Sequence, residues 1–230
     1  MNKFLKESVL WALIVVPYIY LAIIWNKLPA QVPTHFNFQG NVDSWSGKTS
    51  LLYLPGALGI GIYILMLLIP VLDPKRKIQQ MGDKYFRFRL MLTFFFSLLA
   101  TYLLYISKTG SLKNPNMLIA LIGALFAMFG NYFQTVRPNY FIGIRTPWTL
   151  ESEQTWKKTH HLGGRLWMAG GVLVVFLSFI ISNNQVLAII FGIILSIMVI
   201  IPIVYSYTEF QKEKKHLSIK DQIDSVGENM

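Results

Sequence analysis

The sequence contains no cysteine, which excludes a disulfide framework, a thiolate nucleophile and any Cys-based metal site. Charge is scarce as well: Asp, Glu, Lys and Arg supply 14% of 230 residues, well under the usual quarter, against 53% apolar residues. Acidic residues are the rarest charged group, 11 against 21 Lys and Arg. The apolar residues fall in long unbroken blocks, not at helical or strand periods, which is the pattern of an integral membrane protein and not of a water-soluble domain. Also missing are a G-x-S-x-G elbow, a P-loop and a dinucleotide fingerprint, so no motif supports a hydrolase, a nucleotidase or a dehydrogenase.

Six blocks are long enough to span a bilayer: Val9–Trp25, Leu51–Leu72, Leu90–Ile106, Met117–Val136, Leu166–Ser182 and Val186–Tyr207. The expected fold is therefore all-α and polytopic, with six transmembrane helices. The polar Asn183-Asn184 turn makes the last two an antiparallel hairpin. Pro17, Pro55, Pro70 and Pro202 lie inside or at the ends of blocks, where neighbouring helices tolerate a kink. Small residues four apart (Ala57 and Gly61, Gly123 and Ala127, Gly192 and Ser196) and the Thr93, Ser97, Thr101 stripe read as helix-packing positions. No Asp, Glu, Lys, Arg or His lies within any block, which argues against an ion-coupled transporter.

The basic residues set the orientation. Seventeen of the 21 Lys and Arg fall at the N-terminus, in the second and fourth loops and in the tail, leaving Lys27, Lys48, Lys108 and Lys113 on the other side. The positive-inside rule puts both termini in the cytoplasm. The first apolar block resembles a signal peptide, but no A-x-A site follows, so it is expected to remain as a span. The net charge of +10 is thus topological, and no direct nucleic-acid partner is expected. The organisation expected is a two-span unit over 1–72 with an outer loop at 26–50, a four-span unit over 73–207 with a cytoplasmic loop at 137–165, and a cytoplasmic tail over 208–230.

Each face then presents one long polar stretch. Outside, Phe36 and Phe38 flank Asn37 ahead of Gln39-Gly40-Asn41, which predicts a small hairpin or compact loop. Its His35, Phe36, Phe38, Asp43 and Trp45 are candidates for contacting a partner, or else headgroup anchors. Inside, Asn131 to Arg165 is the longest polar interruption in the second half of the chain. Gly143 to Pro147 reads as a turn, and Thr146 or Thr149 is placed to cap a short helix with Glu151 and Glu153 in its first turn. Glu153, Trp156, His160 and Gly163 share one helical face. With Arg145 and Trp148 this face is expected to form an interfacial docking surface. Glu153 and His160 are two turns apart, roughly 10 Å, too far to hold one ion unaided, so no metal, catalytic residue or cofactor is expected.

Two stretches resemble a known family. The inner one carries Gly130-Asn131-Tyr132, Arg137-Pro138-Asn139-Tyr140, Gly143 to Glu151, Trp156, Thr159-His160 and Gly163-Gly164-Arg165. It is similar to the SdpI family of bacterial membrane immunity proteins. The outer one carries Leu28-Pro29, Val32-Pro33, His35-Phe36, Gly40, Asp43, Trp45 and Lys48, and resembles the domain of unknown function that precedes it in many members. The resemblance implies a multi-pass protein of the bacterial cell membrane. It implies resistance to a secreted, SdpC-like toxin peptide bound by the outer loop. It further implies signalling by holding a cytoplasmic transcriptional repressor at the membrane, and the inner motif (Asn131, Asn139, Arg145, Trp148, Glu151, Glu153, Trp156 and His160) is the candidate cytoplasmic docking surface. The alternative is a membrane enzyme or lipid-handling protein using the Glu153–His160 face.

Overall fold

A computed structural model describes residues 2–37, 41–110, 112 and 114–227. The chain runs α1 (Lys3–Ile24), a hairpin of β1 (Gln31–Phe36) and β2 (Val42–Gly47), then α2 (Gly61–Leu72), α3 (Asp83–Thr109) and α4 (Asn116–Phe133). A short α5 (Pro147–Glu151) precedes α6 (Glu153–Ile180) and α7 (Asn184–Gly227). Six of these segments are long and apolar enough to cross a membrane, a 3-10 and π-helical lead-in extending the second back to Lys48. Large apolar side chains such as Ile19, Leu67, Phe94, Phe176 and Ile193 point outward, as lipid contact requires.

The helices outrun the apolar blocks. α3 begins at Asp83 and α6 at Glu153, the latter about three and a half turns before Leu166. Ionisable groups therefore sit on the helical extensions just outside the apolar blocks. Arg89 of α3 forks onto Glu7 of α1 at 2.8 and 2.9 Å, and the Tyr63 hydroxyl of α2 donates to the same carboxylate at 2.8 Å. Lys6 also pairs with Asp83. The start of α1, the start of α3 and the polar extension of α7 share one end of the bundle, and the hairpin lies at the other. The six spans thus bring both termini to the end that carries the excess of Lys and Arg.

α4 and α6 pack antiparallel and almost backbone to backbone. A Cβ on Gly130 would fall 2.2 Å from the Met168 nitrogen, and one on Gly171 would fall 2.3 Å from the Ala127 nitrogen. Gly123 and Ala127 thus behave as the small-residue spacing predicts. Gly192 does not: a Cβ there meets nothing within 4 Å, and with Ser196 it lies in a shallow apolar groove on the outside of α7.

Three prolines interrupt spanning helices: Pro17, Pro70 and Pro202. Each lacks the N–H that would bond the carbonyl four residues back, leaving Leu13, Met66 and Met198 with orphaned acceptors. In all three cases a side chain from a neighbouring helix supplies the missing donor. Ser97 Oγ donates to Leu13 O at 2.7 Å, Tyr85 Oη to Met66 O, and Trp167 Nε1 to Met198 O at 2.9 Å. In a bilayer no water can do this, so each pairing joins two helices at the point where one of them is weakest.

Candidate functional site

At the outer end the hairpin pairs Gln31 with Gly47, Val32 with Ser46, Pro33 with Trp45, His35 with Ser44 and Phe36 with Val42. The register slips on either side of His35, leaving Thr34 and Asp43 without a paired residue in the strand register and bending the ribbon. His35 Nδ1 and Asp43 Oδ1 meet at 2.6 Å on its exposed side. Val32 and Leu28 are buried with Leu21, Ile24, Leu51 and Leu104, which anchors the hairpin base to α1 and α3. The hairpin thus leans over the bundle instead of standing free.

Beneath it lies a cavity of about 600 Å³. β1 contributes Pro33 to Phe36, α3 contributes Leu103 and Ile106, α4 contributes Leu118 and Ile119, and α7 contributes Asn184 and Ala188, with Leu51 and Tyr53 beside them. This is the size and apolar character of a ligand pocket. It takes in His35 and Phe36 of the sequence candidates. Asp43 reaches it only through His35, Trp45 is half exposed opposite Pro33, and Phe38 lies outside the described residues. The helical wall residues carry no sequence signal, because an apolar side chain facing a cavity reads the same as one facing lipid.

At the inner end, residues 134–152 form a strap folded onto α6 and α7. Asn139 organises its first turn with four bonds: Oδ1 accepts from the Phe141 and Ile142 amides at 2.8 and 2.7 Å, and Nδ2 donates to the Arg137 and Ile142 carbonyls. Gly143 adopts φ +116°, and a Cβ there would fall 2.3 Å from His160 Nε2. That nitrogen accepts the Ile144 amide at 2.9 Å, and Nδ1 lies 2.9 Å from the Trp156 carbonyl. With Nε2 accepting and Nδ1 donating, His160 is a neutral imidazole. Trp156 stacks on it at 3.9 Å and donates Nε1–H to Val136 O at 2.9 Å.

Thr146 caps α5 in a capping box with Thr149 and meets Ser206 of α7 at 3.0 Å. Ser152 caps α6. Glu213 accepts from Ser152 and Thr155, and Glu209 pairs with Lys158 at 2.8 Å, fastening the extension of α7 to the start of α6. Outside the helices, Lys75 lies over the Tyr140 ring, and its bond to the Tyr140 hydroxyl raises its pKa above the ordinary lysine value.

The interfacial docking face expected from the sequence is therefore turned inward. Trp156, His160 and Gly163 do share a face, but it is buried against the strap because Gly143 and Ile144 occupy it. Glu153 lies exposed at the first turn, paired with Lys157 at 3.0 Å, so it makes no common site with His160. Asn139 is likewise a buried structural residue. Arg145, whose guanidinium donates to Tyr140 O, is exposed with Glu151 and Asn131, and Trp148 rests edge-on against Tyr207 at 5.0 Å. Among the described residues no group of three His, Asp or Glu is placed to hold a metal ion.

The two ends of this structure match two known sequence families. Residues 135–206, the strap with α6 and about half of α7, match the SdpI/YfhL protein family. Residues 12–59, from α1 through the hairpin to the π-helical turn, match a domain of unknown function, DUF1648. The immunity protein SdpI of Bacillus subtilis (strain 168) is 25% identical over 204 residues, covering 85% of this chain and 92% of that protein. No solved structure matches the chain. With both segments matched, and six helices long and apolar enough to span a bilayer, the chain is a multi-pass cell-membrane protein similar to the SdpI/YfhL family over residues 135–206.

Proposed function

We propose that this chain is an immunity protein that captures a secreted, SdpC-like toxin peptide in the outer cavity and reports its presence to the cytoplasm. The observation that carries the reading is the cavity of about 600 Å³ under the hairpin, apolar in lining and at the end opposite the basic loops. An apolar peptide on its way into the membrane meets this pocket at the outer surface. Burial of its side chains there is favoured by roughly 25 cal/mol per Å² of apolar area. The kinship with the Bacillus subtilis immunity protein supports the class of partner.

The route for a signal is α7. It begins in the cavity wall at Asn184 and Ala188 and continues to Gly227 as one helix, about 66 Å or twice the hydrocarbon thickness, its backbone ladder missing a donor at Pro202 where Trp167 substitutes. Its cytoplasmic arm is clamped to α6 by Glu209 and Glu213, so a displacement at its outer end reaches the clamp. The arm beyond the clamp, rich in Lys, is the surface offered to a cytoplasmic transcriptional repressor.

Survival of a sensitive strain carrying the chain, scored against SdpC-type toxin, is the direct test. Ala188→Trp fills the cavity and should shift the protective dose by about tenfold or more, the effect of losing 1.4 kcal/mol of binding. Phe36→Ala should weaken protection in the same direction. Deleting residues 214–230 should leave survival intact while abolishing repressor recruitment to the membrane. Undiminished protection by Ala188→Trp at wild-type membrane abundance would remove the cavity from the mechanism.

A further inference from the structure

A second cavity, about 510 Å³, opens at the strap end between the close of α4, the N-terminal half of α6 and Tyr205 of α7. Its lining includes Lys157, Lys158, His161 and Arg165 and contains no carboxylate. Lys157, His161 and Arg165 follow one another at intervals of four, so they form a single stripe about 12 Å long on α6. Gln134 at the end of α4 adds a neutral polar group on the opposite wall, and Phe133 and Leu162 make an apolar flank.

The acids nearby engage only the cytoplasmic end of the cavity. Lys157 is engaged by Glu153 and Lys158 by Glu209. Glu153 stands twelve residues before Arg165, about 18 Å along the axis. Arg165 has no hydrogen-bond or ion-pair partner among the described residues. It is also the last cation before the apolar stretch that opens at Leu166, which places it where hydrocarbon gives way to headgroups. A free guanidinium in a basic pocket between helices at that depth fits a phosphate ester, which it can grip with two parallel N–H donors.

We propose that this cavity binds the phosphodiester of an anionic phospholipid from the cytoplasmic leaflet. Arg165 takes the phosphate at the hydrocarbon edge, His161 and Lys157 extend the grip toward the headgroup, and the acyl chains descend past Phe133 beside the apolar stretch that opens at Leu166. A freely diffusing phosphate would meet the same cations without that flank, so the apolar wall favours the lipid. The site is independent of the outer cavity.

The test uses the full chain purified in a neutral maltoside detergent. Phosphatidylglycerol is titrated in, thermal unfolding is followed by tryptophan fluorescence, and bound lipid is counted by native mass spectrometry. The expected result is saturable stabilisation, with the half-saturating concentration raised about fivefold or more in Arg165→Gln, as loss of one cation near a membrane surface implies. Lys214→Gln on the arm should match wild type. His161→Gln probes the same cavity should Arg165→Gln not fold. The proposal is overturned if both cavity variants bind like wild type, or if phosphatidylcholine stabilises equally. It is also overturned if inorganic phosphate alone reproduces the saturable shift, which would mark a free-phosphate site.

Discussion

The pairing of Trp167 with the carbonyl freed by Pro202 makes a quantitative prediction. Trp167→Phe keeps a ring packed near Phe126 and Phe133, whose centroids lie 5.1 and 5.3 Å from the indole, and removes only the N–H that reaches Met198 O at 2.9 Å. An unsatisfied buried acceptor costs ~1–3 kcal/mol in water-soluble proteins. Side-chain hydrogen bonds inside membranes average nearer ~0.6, with a maximum about 1.7. Because Pro202 denies the Met198 carbonyl any helical partner, the substitution should fall near the upper membrane value, about 1.5 kcal/mol. Pro202→Ala restores a backbone N–H to that carbonyl. In its background the same Trp167→Phe change should cost about 0.5 kcal/mol or less, giving a coupling near 1 kcal/mol. The double-mutant cycle is read by reversible unfolding in mixed micelles of mild and denaturing detergent. An equal cost of Trp167→Phe in both backgrounds would refute the reasoning, since the loss would then be packing and not a replaced hydrogen bond.

Two further outcomes follow from the helix contacts. Gly171→Ala places a Cβ 2.3 Å from the Ala127 nitrogen, a backbone clash that should cost ~3 kcal/mol or more and remove the monodisperse peak in fluorescence-detected size exclusion. Gly192→Ala, with nothing within 4 Å, should leave that peak unchanged; equal behaviour of the two would mean that α4 and α6 do not touch as described. Glu7→Gln leaves Arg89, whose side chain is 10% exposed, without its counter-charge and should cost up to about 3 kcal/mol, whereas Glu7→Leu with Arg89→Met should cost less than the single change. Finding the double variant no more stable than Glu7→Gln would show that the pair contributes net stability and does not merely neutralise itself.

Much of the architecture is legible in the residues alone, because a bilayer imposes simple rules. Block length and the scarcity of charge determine six spans, and the seventeen-to-four division of Lys and Arg sets the direction expected of them. Gly123 and Ala127 announce a close helix contact and Thr146 announces a helix start that the fold keeps, whereas the second start, capped by Ser152 and dividing Glu151 from Glu153, is not read from the sequence. A helical wheel likewise puts Trp156 and His160 on one face. It cannot say whether that face meets water, headgroups or protein. Only the fold brings Gly143 and Ile144 onto it, so that His160 serves a backbone amide sixteen residues away instead of a ligand. The apolar blocks end short of the helices for a related reason. A polar segment such as 153–165 continues a helix when a strap and a neighbouring helix satisfy its side chains, and hydropathy does not register those partners. The donors for the three proline-freed carbonyls and the two cavities belong to the same class: each joins residues from separate helices, and lies in a distance between side chains that sequence order does not contain.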